Sequence, residues 1–158
     1  LTMRGIKTLA LRMEKQCANA NQLAAWLAAH PRVERVYFPG DPSHPDAAAV
    51  QRLFPKDRSG AMIAFDLKGA NSPATKPANR QDVFAFMEKL KMIVCATSLG
   101  DVHSMVLHPA MSSHRDLSPK HRERLGIRDS LVRVSTGIEA IEDIIEDLAQ
   151  ALRGETFD

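Results

Sequence analysis

Aromatic residues are scarce: one Trp, one Tyr and six Phe serve 158 residues. So few rings leave no platform for stacking nucleic-acid bases. Charge of one sign is also lacking. The formal net charge is +2, and basic residues are interleaved with acids, as in His121-Arg-Glu-Arg124. A nucleic-acid partner is therefore not expected. No apolar run approaches the roughly 20 residues that span a bilayer, and no secretory leader is visible. The chain is accordingly expected to be cytoplasmic, without a membrane partner. Cysteine is sparse too. Cys17 and Cys95 stand far apart, neither with a partner at metal-ligand spacing, and both are expected to be buried free thiols. No Walker-type or GxGxxG phosphate loop occurs.

The remaining composition, 44% hydrophobic and 25% charged, is that of an ordinary globular chain, and its length suits one domain over residues 1–158. Residues 3 to 29 are predicted as one amphipathic helix. Ile6, Leu9, Met13, Cys17, Ala20, Leu23 and Leu27 recur at steps of three and four, while Lys7, Lys15, Asn19 and Gln22 fall elsewhere on the wheel. Pro31 stops it, because a residue before proline avoids the helical region.

Val33 to Phe38 is predicted as a strand with Val33, Arg35 and Tyr37 on one face. Ser43 is placed to cap a short helix over Pro45 to Leu53. Gly60 to Leu67 is apolar enough for a central strand. Residues 70 to 79 look like an insertion, followed by a helix from Arg80 to Leu90. Further strands are expected over Met92–Thr97, Val102–Leu107 and Leu131–Ser135. Helices are expected near Ser118–Leu125, ending at Gly126, and over Ile138–Leu152, where Ile138, Ile141, Ile144, Ile145, Leu148 and Leu152 face inward. Asp143 and Asp147, one turn apart, are expected on the solvated face. This order predicts an α/β (α+β) two-layer sandwich: a small, mostly antiparallel sheet with helices on one face.

Chemistry concentrates at two places. Arg133 lies mid-strand in Leu131-Val-Arg-Val-Ser135, and Ser98-Leu-Gly100 forms a turn after an upstream strand. A guanidinium in an apolar strand needs an anionic partner. Its planar fork suits a carboxylate held bidentately, and a serine turn with exposed N–H groups can help hold one. Two readings stand at this point: an external carboxylate, or a structural ion pair with Asp66, Asp101 or Glu139. If the Arg133 strand lies beside the one ending at Thr97, both features face one cleft. His103, His108 and His114 have spacings of five and six, which fit no common metal pattern. Their imidazoles are expected to hydrogen-bond loops around a cleft. Ser112-Ser113-His114 gives no triad by adjacency alone.

The same residues resemble the C-terminal domain of the Cys/Met-metabolism (trans-sulfuration) enzymes that depend on pyridoxal phosphate, and the likeness runs over nearly the full chain. It is carried by Arg4-Gly-Ile-Lys-Thr-Leu-Ala-Leu-Arg12, Val36-Tyr-Phe-Pro-Gly40 with Ser43-His-Pro45, Gly60-Ala-Met62, Ser98-Leu-Gly-Asp101, His108-Pro-Ala110, Leu125-Gly-Ile127 and Leu131-Val-Arg-Val-Ser135 with Gly137-Ile-Glu139.

The resemblance implies the C-terminal domain of a fold-type I enzyme that performs elimination or replacement at Cβ or Cγ of sulfur amino acids or activated homoserine. It implies that Arg133 grips the substrate's α-carboxylate and that Ser98 and Leu99 help position it. It also implies a cofactor domain elsewhere on the parent polypeptide, as N-terminal partner, and a homo-oligomer, typically a tetramer. The family's Schiff-base lysine lies in that earlier domain. Thr75-Lys76 matches its context only superficially, so no pyridoxal phosphate is expected on this chain alone and no catalytic residue within it. His103 stands where many members carry glutamate, and Ser112-Ser113 replaces a common Met-Thr pair. Other readings are a stand-alone module for a carboxylate or amino acid, separable by open-reading-frame length, and an oligomerisation domain built on the first helix.

Overall fold

The computed structural model describes residues 2–69 and 77–153. Among these described residues five strands form one sheet in the order β1-β2-β5-β4-β3. They are β1 (Val33–Tyr37), β2 (Met62–Leu67), β3 (Val94–Cys95), β4 (Met105–Leu107) and β5 (Leu131–Ser135). All neighbours pair antiparallel except β3 with β4. Among the described residues six α-helices accompany them: α1 (Thr2–Lys7), α2 (Leu9–Ala29), α3 (Ala47–Leu53), α4 (Arg80–Glu88), α5 (Pro119–Arg124) and α6 (Ile141–Leu152). Among the described residues no helix is long and apolar enough to cross a membrane.

The core lies between one face of the sheet and three helices. Ile63 and Phe65 of β2 and Val132 and Val134 of β5 pack with Leu23 and Leu27 of α2, Val83 and Phe86 of α4, and Ile144 and Leu148 of α6. Alternation along each strand sends the intervening residues to the opposite face. β1 departs from the simple pattern. A register shift between Val33 and Arg35 lets Val33 join Val36 and Phe38 on the core side, so Val33 does not share a face with Arg35 and Tyr37. An extra residue in one strand changes the phase of all that follow.

The predicted 3–29 helix is two helices with a break at Thr8. Arg12 reaches back across the break to the Gly5 carbonyl at 3.0 Å. Burial begins only at Gln16; Met3, Ile6 and Leu9 are 73%, 56% and 44% exposed. Asn19, expected on the polar side, is fully buried. Helix α3 starts at Ala47 with Asp46 before it, and Ser43 does not cap it. Its N–H donates instead to Asp41 Oδ1 at 2.8 Å, a local turn that competes with the helix start. Helix α4 is stopped upstream by a capping box: Asn79 accepts from the Asp82 N–H, and Asp82 accepts from the Asn79 N–H. Cys17 is buried but Cys95 is exposed, because the two-residue β3 is an edge strand.

Asp147 is the largest departure from the solvated face expected of it. It is only 6% exposed, and its carboxylate accepts N–H bonds from Lys91 at 2.8 Å, Met92 at 2.9 Å and Ile93 at 2.8 Å. Those three donors are thereby withdrawn from sheet pairing, so the strand expected over Met92–Thr97 shortens to β3. Ile138 likewise leaves the last helix: its N–H goes to the Val102 carbonyl, and its side chain is 39% exposed.

Burial pushes the Asp147 pKa up, but bonds from Ile93, Lys91, Met92 and Gln150 together hold it below the usual aspartate value. A carboxyl group depressed on folding contributes stability that is complete above its unfolded pKa of about 4 and lost as pH falls through the lower folded value. Asp147→Asn keeps the shape but loses charge-assisted acceptance, and should cost about 2 kcal/mol at neutral pH. Urea titration of wild type and variant should show this gap as constant above about pH 5 and closing below about pH 4.

Candidate functional site

Arg133 sits at the centre of β5, between Ala64 of β2 and Leu107 of β4. Val132 and Val134 on either side are fully buried under the helices, so Arg133 projects to the opposite face. Its side chain is half-buried there. One guanidinium nitrogen, Nη2, donates to the Ser98 carbonyl at 3.3 Å. Burial lowers its pKa from the ordinary arginine value, though an arginine keeps its proton in any protein setting. Among the described residues no carboxylate lies within 4 Å of this guanidinium.

The three acids considered as internal partners are all engaged elsewhere. Asp66 is fully buried and accepts from the Ser130 hydroxyl at 2.7 Å and the Tyr37 hydroxyl at 2.8 Å. Asp101 turns to the Val102 N–H at 2.6 Å. Glu139 accepts from Ser104, through its N–H at 2.6 Å and its hydroxyl at 2.9 Å. The structural ion pair is therefore not formed. The half-buried cation holds a neutral carbonyl on an exposed contact.

Ser98 reaches Arg133 by a route other than strand adjacency. β4 lies between β5 and β3, so the strand ending near Thr97 is not a neighbour of the one bearing Arg133. The link is the loop 98–104, which folds back onto the segment 133–139. Gly100, at φ +78°, makes the sharp turn in a region that side chains disfavour. Its N–H donates to Ser135 Oγ at 3.0 Å. Gln16 Nε2 of α2 donates to the Asp101 carbonyl at 2.7 Å, and the Ile138 N–H donates to the Val102 carbonyl at 2.8 Å. The Gly137 N–H donates to Ser104 Oγ at 2.9 Å. A Cβ on Gly137 would collide with the Glu139 carboxylate, the Val102 carbonyl and the Ser104 nitrogen. Asn19 of α2 donates to the Gly137 and Glu139 carbonyls at 3.0 and 2.9 Å. Leu99 remains 58% exposed on this otherwise tethered loop.

The sequence assigned no role to Ser104, Gln16 or Asn19, and treated Glu139 only as a partner for Arg133. A signal was present: Gln16 and Asn19 lie beside Cys17 and Ala20 on the apolar stripe of α2. An amide on a buried stripe must satisfy something polar that crosses it.

The histidines do not converge. His108 is buried, its Nε2 is 2.9 Å from the Asp129 carbonyl, and its ring meets Phe84 edge-on at 5.4 Å. Burial holds its pKa below the ordinary histidine value despite Asp129. It borders a cavity of 590 Å³ lined also by Phe84, Met87, Thr97 and Leu107, as a loop-holding imidazole should. His103 is exposed, 3.9 Å from Asp101. His114 Nδ1 is 2.8 Å from Ser113 Oγ on the exposed surface. No group of three His, Cys, Asp or Glu among the described residues could hold a metal ion. Thr75-Lys76 lies outside the described residues.

The chain is similar to known proteins over nearly its whole length. It is 42% identical over 155 residues to a cystathionine beta-lyase of Coxiella burnetii, covering 96% of this chain and 36% of that protein. It is 41% identical over 153 residues to an L-methionine gamma-lyase of Pseudomonas putida, covering 97% and 36%. A crystal structure of cystathionine gamma synthase from Xanthomonas oryzae pv. oryzae in complex with cystathionine matches with a TM-score of 0.83 and 37% identity, over 96% of this chain and 36% of that one. The chain thus spans about a third of the length of the curated relatives it matches. The family model for Cys/Met metabolism PLP-dependent enzymes matches residues 1–153. The match takes in the Arg133 strand, the 98–104 loop and the segment that tethers it, and this chain belongs to that family.

Proposed function

We propose that this chain is the C-terminal domain of a pyridoxal-phosphate-dependent trans-sulfuration enzyme, a lyase or transferase acting on sulfur amino acids or activated homoserine by elimination or replacement at Cβ or Cγ. One observation carries the reading: Arg133 is a half-buried guanidinium whose hydrogen bond is to a neutral carbonyl, while each neighbouring acid is held by other donors. A substrate α-carboxylate supplies the missing anion, taken bidentately by the planar fork. Ser98 and Leu99, on the tethered loop, border the same group. Fixing the carboxylate fixes how the rest of the amino acid stands, and this is a proximity effect. The relatives named for cystathionine and methionine support this substrate class.

Pyridoxal phosphate supplies an electron sink when bound. Among the described residues, those sharing Arg133's face of the sheet do not fit that group. It attaches through a lysine amine and pairs its ring nitrogen with an acid. The strand residues sharing Arg133's face include no lysine, and Asp66, an acid among them, is sealed beneath Tyr37 and Ser130. On this reading the cofactor is held by the N-terminal domain of the parent polypeptide, in a cytoplasmic homo-oligomer, and this chain alone is catalytically silent.

In the complete parent polypeptide, assayed with cystathionine, methionine and O-succinylhomoserine, Arg133→Ala should raise KM strongly, a loss of roughly 2–5 kcal/mol. Arg133→Lys should fall between, because it keeps the charge but not the fork. Unchanged kinetics would show that the guanidinium serves only the fold. Incubating this chain with pyridoxal phosphate, reducing with borohydride and mapping by mass spectrometry should leave every lysine substoichiometrically labelled. Full labelling of a single lysine would overturn the assignment of the cofactor to another domain.

A further inference from the structure

The loop 98–104 and the segment 133–139 run side by side in step. Arg133 bonds Ser98, Ser135 bonds Gly100 and Glu139 bonds Ser104, each pair 35 residues apart. Between the last two rungs, the Ile138 N–H holds the Val102 carbonyl and the Gly137 N–H holds Ser104 Oγ. The rungs are unequal. The Arg133–Ser98 contact is exposed and 3.3 Å long. The Glu139–Ser104 rung has two bonds, one of 2.6 Å, to a carboxylate, and charge-assisted bonds are the stronger kind. Ser104 is fully buried, and no side chain larger than a hydrogen fits at Gly137 between the two partners. The register of the whole ladder is thus set at its Glu139 end, leaving the Arg133 end able to exchange a carbonyl for a ligand.

We infer that Glu139 is a positioning residue: by clamping Ser104 it holds the 98–104 loop in register with β5, and so fixes the Ser98–Leu99 backbone against the Arg133 guanidinium. The inference rests on the reading of Arg133 as a carboxylate site, and it names what sets that site's selectivity. Glu139 touches no reacting atom. Its effect passes through the loop, and is felt as discrimination between a ligand that carries a carboxylate and one that does not.

The test uses the complete parent holoenzyme and two competitive ligands, L-norleucine and pentylamine, which differ only in the carboxylate. The readout is the ratio of their inhibition constants. Glu139→Ala and Ser104→Ala should each reduce that ratio about tenfold, raising substrate KM with kcat changed less than about threefold. Glu139→Gln, which can still accept from the Ser104 N–H, should stay within about threefold of wild type. Asn79→Ala, which removes the cap of α4 far along the chain, should lower Tm and leave the ratio intact. If Glu139→Ala does not fold, Ser104→Ala decides. A preserved ratio in folded Glu139→Ala or Ser104→Ala, with Arg133→Ala collapsing it, would overturn the positioning role alone. A preserved ratio in Arg133→Ala would remove the carboxylate site, and this inference with it.

Discussion

A guanidinium that cannot shed its proton, set in the middle of a sheet with no acid among the described residues to meet it, is the constraint around which this structure is arranged. A half-buried charge is tolerable only if something polar accompanies it. Here that companion is a single peptide carbonyl, brought by a loop that travels from beyond the next strand but one. Much of the unusual hydrogen bonding in the molecule serves to bring that loop into place. Gln16 and Asn19 sacrifice positions on the apolar stripe of α2 to hold Asp101, Gly137 and Glu139, and Ser135 spends its buried hydroxyl on Gly100.

The carboxylates follow a common rule. Asp66, Asp147 and Glu139 all lie inside or at the edge of the fold, and the donors nearest to them are N–H or O–H groups rather than cationic side chains. Arg128, 3.9 Å from Asp66, is the loose exception. A carboxylate that accepts several short bonds from fixed donors is stabilised without an ion pair. The consequence is a separation of charges: the interior anions staple loops, and Arg133 is left without a carboxylate among the described residues. Had Glu139 turned to Arg133, the loop would lose its anchor and the cation its availability in one step.

How much of this was legible follows from the same rule. Periodicity found the middles of α2, α4, α6, β2 and β5, where apolar residues alternate against a continuous core. It failed at the edges, where a side-chain carboxylate captured main-chain donors that a strand would otherwise use. The expected strand from Met92 lost its first residues to Asp147, and the one from Val102 lost its start to Ile138 and Glu139. Reading Asn19 and Asp147 as solvated rested on the average habit of polar side chains, which gives way when a crossing loop offers unpaired peptide groups. Cys95 surfaced because a two-residue edge strand cannot bury both of its sides. The nearness of Ser98 to Arg133 was readable from the motifs, but its cause was not. Strand adjacency was the expected cause, and hydrogen bonds between an irregular loop and the end of a strand with the turn after it leave no periodic trace in composition or hydropathy.

An arginine at this position is not required by packing. An apolar residue among Ala64, Leu107 and Leu131 would pack at least as well, since replacing buried charge by matched hydrophobic groups is often neutral or stabilising. A lysine would carry the charge on a flexible, strongly hydrated point and lose the fixed fork. The desolvation that depresses the Arg133 pKa is a cost the folded chain bears with only one neutral acceptor in return. Under the proposed carboxylate role that cost would be recovered when the anion arrives, because the attraction grows as water is excluded while the desolvation of the cation has already been met. On the proposed reading, a site prepared this way would bind its anion more tightly than a solvated arginine could, and the register of the loop would set which anion can approach it.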